Sequence, residues 1–353
     1  MLNRSPKTSR RAYVRTGGRV LQTGDIQREN TMKAIVGNTY GSPDVLELGD
    51  VEKPEISYDE VLVRVRAAGV DAGVWHLMRG LPYLTRLAFG LRAPKNPIPG
   101  MDVAGVVEAV GGGVTRFGPG DEVFGIGKGA YAEYARAPEH KLAHKPANLT
   151  FEQAAVLAIS GLTALQGLRD RGRLEAGQKV LIVGASGGVG TYAVQIAKAF
   201  GAEVTGVCST AKVEMVRSLG ADRVLDYTRE DFAEGDPRYD VILDIGGSSS
   251  LSRLRRALGS AGTLVLVGGE GGGRWLGVVE RLLRARLLSP FVGQNLRAFL
   301  SSENHEDMIV LKSLVESGRI TPVVDRTYPL TGVPEALRYF EEGRARGKVV
   351  ISV

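Results

Sequence analysis

The segment 179-KVLIVGASGGVGTYAVQIAKAF-200 restricts this chain more than any other. A short apolar run leads straight into a glycine-rich turn and then into a helical pattern, which fixes the order strand, turn, helix. Against the pattern G-x-G-x-x-G the matching positions are Ala185, Gly187 and Gly190. A missing side chain at Gly187 lets backbone approach a pyrophosphate, and Gly190 lets the helix lie close to the sheet. The helix N-terminus then offers its N–H groups and dipole to the phosphate charge. The turn that follows Gly184, made of Ala185, Ser186, Gly187, Gly188, Val189 and Gly190, is therefore the expected dinucleotide cradle. Ala185 stands where the strict pattern has glycine, so the motif needs its context.

That context is a rhythm of strand and helix. Apolar runs at 179–184, 203–208, 223–225, 240–245 and 263–267 alternate with helical patterns at 191–200, 211–220 and 251–258, which predicts five parallel strands covered on both faces. The second strand ends at Cys208-Ser209-Thr210, where an NAD-selective site places Asp or Glu for the ribose 2′-hydroxyl. No acid is there. Ser209 and Thr210 can donate to a 2′-phosphate and Lys212 can add charge, so NADPH is expected over NADH.

Upstream the pattern differs. Residues 33–36, 61–67 and 102–110 read as short strands punctuated by Gly100, Gly111-Gly112-Gly113 and Gly118-Pro119-Gly120, as in a β-rich barrel. Thr150 is a plausible N-cap for an alanine- and leucine-rich helical region at 151–170, with Ser160-Gly161 as its expected division. After a helix at 306–317, strands at 321–328 and 348–353 flank a short helix at 333–342 and resemble the first part, so the chain is expected to return there. The predicted organisation is a basic extension at 1–31, a first catalytic-domain part at 32–153, a nucleotide-binding domain at 154–305 and a return at 306–353.

Charge excludes one class of partner. The formal +6 is concentrated in residues 1–31, where Arg4, Lys7, Arg10, Arg11, Arg15, Arg19 and Arg28 face only Asp25 and Glu29. The rest is close to neutral, which argues against nucleic acid. The same Arg-rich, acid-poor start keeps an organelle transit peptide open beside the favoured readings, an unstructured tail or an upstream translation start before Met32, and a cytoplasmic protein. A single cysteine, Cys208, excludes an intramolecular disulfide framework, and the four histidines form no metal-like cluster. No stretch has the length and apolarity of a membrane span.

The pieces 63-VRVRAAGVD-71, 98-IPGMDVAGVVEAVGGGV-114, 118-GPGDEVFG-125, 153-QAAVLAISGLTALQGL-168, 181-LIVGASGGVG-190, 240-DVILDIGG-247 and 346-RGKVVI-351 resemble the medium-chain dehydrogenase/reductase superfamily, especially its zinc-independent quinone oxidoreductase-like branch. The resemblance covers about residues 32–353. It implies an α/β fold in which a Rossmann-type parallel-sheet nucleotide-binding domain is inserted into a discontinuous, β-rich GroES-like catalytic domain. The superfamily's zinc alcohol dehydrogenases carry cysteine near Asp71 and Gly-His-Glu near 100-GMD-102, so no metal site is expected here. Without that Lewis acid, the remaining chemistry is hydride transfer from NADPH to a quinone or another conjugated carbonyl, which spreads incoming charge onto oxygen.

The resemblance also implies cofactor contacts from Thr163, Tyr227, the loop Val267-Gly268-Gly269, Phe291-Val292-Gly293 beside nicotinamide, and Lys348. Asp71, Tyr83 and Tyr131 are the candidates for the substrate side, with helix or loop capping and structural support as their competing roles. The second enzymatic reading is an enoyl-thioester or activated-alkene reductase, and a non-catalytic NADPH-sensing interaction protein is the third. A homodimer is implied. The amphipathic stretch 275–291 is expected to cover the cleft or join the dimer, with contact to a membrane surface as the less favoured reading.

Overall fold

The computed structural model describes residues 13–16, 19–22, 30–234, 238–268 and 278–353. Gly269, residues 275–277 and most of the segment 1–31 lie outside them. Within that segment β1 (Tyr13–Thr16) and β2 (Arg19–Gln22) pair antiparallel, and β3 (Thr31–Val36) then pairs with β4 (Glu47–Glu52).

The eleven-residue β5 (Glu60–Val70) is the spine of the first lobe. Its Val61, Val63 and Val65 are buried while Arg64 and Arg66 face solvent, the alternation a half-buried strand requires. The helices α1 (Ala72–Arg79) and α2 (Arg86–Phe89) follow. The sheet then gains β6 (Asp102–Val110), β7 (Glu122–Ile126), β8 (Tyr134–Pro138) and β9 (Leu142–His144).

Thr150 caps α3 (Phe151–Ala154) in a capping box with Gln153. The helical region breaks at 155–157 before α4 (Ala158–Gln166), not at the expected Ser160-Gly161. Gly161 lies inside α4 for a packing reason: a Cβ there would sit 2.9 Å from Leu311 Cδ1.

The α/β series follows as β10 (Lys179–Val183), α5 (Gly188–Ala199), β11 (Glu203–Cys208), α6 (Val213–Ser218), β12 (Arg223–Asp226), β13 (Tyr239–Asp244), α7 (Leu251–Ala257), β14 (Leu258–Leu266), α8 (Val278–Leu288) and β15 (Asn295–Ala298). All six strands are parallel, in the order β12-β11-β10-β13-β14-β15. The expected five strands become six because 295-NLRA-298, with two polar residues of four, carries too little apolar pattern to be read as a strand. The order reverses between β10 and β13, the topological switch point at which open α/β sheets bind ligands.

After α9 (His305–Glu316), β16 (Val324–Pro329), α10 (Val333–Glu341) and β17 (Lys348–Ser352) return to the first sheet, where β17 pairs antiparallel with β5. That sheet is thus made by two separated stretches of chain, with the parallel sheet inserted between them. One apolar core joins the two, since Ala67, Ala104 and Phe124 share a buried cluster with Leu162, Val180, Ile182 and Leu311.

Candidate functional site

The glycine turn lies at the carboxyl end of β10. Gly184 takes φ +89°, which turns the chain at no steric cost, and the Gly184 and Ala185 amides donate to the Val207 carbonyl of β11. A Cβ at Gly190 would meet Gly184 O at 2.1 Å, so only glycine lets α5 pack this close to the strand. A Cβ at Gly187 would approach nothing nearer than Gly184 O at 3.6 Å. A side chain at Gly187 would therefore enter open space, although its backbone is bridged to Gly347. Gly187 is the N-cap of α5 and brings no side chain, so it leaves the helix's first amides without a side-chain cap. A helix N-terminus without a side-chain cap, beside the open space at Gly187 and at the switch point, fits the pyrophosphate of a dinucleotide.

The C-terminal return braces this turn. Gly347 N donates to Ser186 O, and Lys348 runs beneath the turn, its Cδ 2.7 Å from where a Gly188 Cβ would stand. The expected cofactor contact by the Lys348 side chain is corrected here. Its ammonium is buried and lies 3.3 Å from Asp102 Oδ2.

Around that ammonium sits a buried ionisable cluster that sequence reasoning missed. Asp102 Oδ1 accepts from Ile159 N at 2.9 Å, while burial pushes its carboxyl up to about 7 against the opposing pull of Lys348. Asp71 is the N-cap of α1, with Oδ1 accepting from Gly73 N at 2.9 Å and Val74 N at 3.3 Å. Its Oδ2 is buried without a hydrogen-bond partner among the described residues, and burial raises this carboxyl too. Only residues far apart in sequence meet here, which is why no local pattern revealed the cluster.

The candidates for the substrate side are corrected by their geometry. Asp71 caps a helix. Tyr131 is fully buried and its hydroxyl donates to Gly69 O at 3.1 Å, so it supports the fold behind the cleft. Tyr83 stacks under Arg86, whose guanidinium carbon stands 4.7 Å from the ring centroid. None of the three lines the large cavity of about 830 Å³ that opens beside the first lobe. Trp75, Leu77, Met78, Leu81, Phe89, Ile98 and Met101 make most of its apolar wall. The opposite wall is Leu282 of α8 with Leu300 and Glu303, which follow β15 at the carboxyl edge of the parallel sheet.

The residues expected beside nicotinamide divide at that edge. Val267 and Gly268 follow β14 at its carboxyl end, where a Gly268 Cβ would meet nothing within 4 Å. Phe291 and Gly293 instead precede β15, and a Gly293 Cβ would stand 3.2 Å from Ser260 O, near the amino end of the neighbouring strand. That is the opposite edge of the sheet from the cradle. The corresponding carboxyl-edge residues are Phe299, Leu300 and Ser301, missed because β15 itself was not read. Thr163 reaches this edge: its hydroxyl donates to Ile159 O at 2.7 Å and meets Ser301 Oγ at 3.1 Å.

At the far end, Ser209 precedes the turn Thr210–Lys212, and Tyr227 is exposed beside it. The Lys212 ammonium donates to Gly343 O at 3.0 Å and Ala345 O at 2.7 Å, on the loop after α10. An acid absent from the β11 end arrives from β12. Asp226 accepts from Thr210 Oγ1 at 2.5 Å and from Thr228, bonds that hold its carboxyl below the usual range, with Arg229 3.6 Å away.

Two family models match the chain: "Alcohol dehydrogenase GroES-like domain" over residues 57–147 and "Zinc-binding dehydrogenase" over residues 219–351. The chain is 36% identical to the Arabidopsis thaliana "NADPH-dependent alkenal/one oxidoreductase, chloroplastic", covering 93% of this chain and 81% of that one. It is 35% identical to the Mus musculus "NAD(P)H oxidoreductase RTN4IP1, mitochondrial", with 92% and 90% covered. Its fold superposes on the quinone oxidoreductase of Coxiella burnetii with a TM-score of 0.81 at 28% identity, covering 92% of this chain and 99% of that one.

Proposed function

The chain belongs to the medium-chain dehydrogenase/reductase superfamily, in its quinone oxidoreductase-like branch, and from that premise we propose that it reduces quinones or other conjugated carbonyls with NADPH. The observation that carries this reading is the position of the cavity. Its apolar wall is closed by Leu282 and Leu300 at the carboxyl edge of the same sheet whose switch point holds the N-terminus of α5, which has no side-chain cap.

When bound, the cofactor supplies a hydride. The chain holds the pyrophosphate at the α5 N-terminus, and Val267, Gly268 and Thr163 form the edge on which the nicotinamide end is positioned. The apolar wall excludes water and orients a flat, electron-poor acceptor. The buried Tyr131 hydroxyl is committed to backbone, so we assign no side chain as general acid and take the product oxygen to be protonated from solvent. Ser209 and Lys212 support NADPH over NADH: the Lys212 ammonium now satisfied by two loop carbonyls would exchange one for a phosphate oxygen.

The residues present do not fit a zinc ion. Asp71 spends one oxygen on helix amides, Met101 offers a thioether, and Asp102 pairs with Lys348, so no step is derived through a metal. We also read the outer edge of β15, unpaired among the described residues, as the pairing edge of a homodimer. The cytoplasm is the compartment proposed, with an organelle as the second one to test through a fusion of residues 1–31. No helix among the described residues is long and apolar enough to cross a membrane.

The test is NADPH consumption followed by absorbance across matched quinone, enone and enoyl-thioester panels. Turnover of quinones or enones is expected. Tight NADPH binding without turnover of any acceptor would replace this reading with the sensing protein, and turnover confined to thioesters would replace it with an enoyl-thioester reductase.

A further inference from the structure

Two elements line the cavity, and both carry exposed leucines on the side that faces away from it, alone in the segment 82–91 and between Arg284 and Arg286 on α8. In the segment 82–91, Pro82, Thr85 and Phe89 line the cavity, while Leu84, Leu87 and Leu91 point to solvent. In α8, Leu282 lines the cavity and Ala285 is buried, while Leu283 and Leu287 are exposed. The exposure of these five leucines runs from 43% at Leu84 to 71% at Leu287. A helical face of this kind is normally covered.

Charge indicates what covers it. No acidic residue lies between Asp71 and Asp102, nor between Glu280 and Glu303, whereas Arg92, Lys95 and Arg286 are exposed within these stretches. The one acid on α8, Glu280, is already paired with Arg284, so a two-fold pairing of this patch with a second copy would set these cations against each other with no free acid on α8 or in 82–91 to answer them. An anionic bilayer surface answers both features at once, taking leucines below the headgroups and cations among them. We propose that this rim docks the protein on anionic lipid, so that an apolar acceptor enters the cavity from the membrane. The docking rests on the geometry of the rim; only the delivery of an acceptor rests on the oxidoreductase reading.

The experiment is flotation of the full-length protein with vesicles of phosphatidylcholine alone and of phosphatidylcholine mixed with phosphatidylglycerol. Binding to the mixed vesicles is expected, weakened by added salt. It should fall by more than about tenfold when Arg92, Lys95 and Arg286 are changed to Glu. Leu87→Ser with Leu91→Ser, and Leu283→Ser with Leu287→Ser, should each weaken it, and circular dichroism verifies that each variant folds. The same variants should raise KM for a long-chain quinone dissolved in vesicles and leave KM for a short, water-soluble quinone unchanged. Absence of flotation on mixed vesicles, or flotation indifferent to both sets of variants, would overturn the docking. So would leucine variants that instead dissociate a dimer in sedimentation, which would assign the rim to a second copy. Vesicle binding without any turnover would sink the oxidoreductase reading alone, and turnover of soluble acceptors without vesicle binding would sink the docking alone.

Discussion

Lys212 and Lys348 carry the same charge and meet opposite surroundings. The Lys212 ammonium bonds two carbonyls of the loop after α10, an arrangement a phosphate oxygen can enter, so Lys212→Ala should weaken NADPH binding about 10- to 100-fold, the worth of one charge-assisted hydrogen bond, while NADH binding changes little. Fluorescence titration with both cofactors checks this, and equal losses would remove Lys212 from selectivity. The Lys348 ammonium is sealed against Asp102, so Lys348→Met leaves two buried carboxylates without a cation and should cost about 3–5 kcal/mol in denaturant unfolding. Asp102 also sets a pH dependence. Folding raises its proton affinity, so the folded chain holds a proton that the unfolded chain releases above the ordinary carboxylate value of 3.8. Its contribution is full below that value and fades as pH climbs to about 7. Unfolding midpoints measured across this window should fall with rising pH more steeply in the wild type than in Asp102→Asn, and parallel curves would show that Asp102 does not titrate there.

At the scale of elements, the glycine turn separates a packing requirement from a ligand requirement. Gly190→Ala forces a Cβ against Gly184 O and should destabilise the fold by about 1–3 kcal/mol or more. Gly187→Ala meets no protein atom closer than 3.6 Å, so its melting temperature should hold while NADPH affinity drops. Thermal melts with and without cofactor distinguish them, and a stability loss at Gly187 would mean that its open space belongs to the protein. Helix α8 offers a second contrast. Arg281 reaches Asp244 Oδ2 at 2.5 Å and donates to Ser249 O at 2.8 Å, which anchors α8 to the end of β13 and holds Leu282 in the cavity wall. Arg281→Met should therefore raise KM for bulky acceptors about tenfold, with a smaller effect on compact ones. A uniform loss of kcat across all acceptors would argue against this positioning role.

Across the whole molecule, the cofactor should bridge the two stretches of chain that make the site, because the return segment bonds the cradle through Gly347 N to Ser186 O. Binding only to the folded chain raises stability by about 2.7 kcal/mol at a hundredfold excess over Kd, so NADPH should raise the melting temperature more than NADH at equal concentration. A chain that melts at the same temperature with either cofactor would contradict the selectivity proposed for the turn after β11.

The alternation of strands and helices, the turn at Gly184–Gly190 and the return to a β-rich lobe were legible in the residues themselves. Each is a local pattern, set by side-chain periodicity and by glycine's freedom at a turn, and local patterns survive in a linear text. The strand β15 was not legible, since four residues with mixed polarity acquire strand geometry only from the neighbour that binds them. With it went the edge at which Leu300 and Ser301 stand, and Phe291 and Gly293 were placed on the wrong end of the sheet. The buried meeting of Asp71, Asp102 and Lys348 was equally hidden, because sequence distance says nothing about which charges share a low-dielectric interior. The residues alone determined what kind of ligand the sheet can hold; packing alone decided which side chains face it, because direction and burial are properties of contacts between segments that the chain keeps far apart.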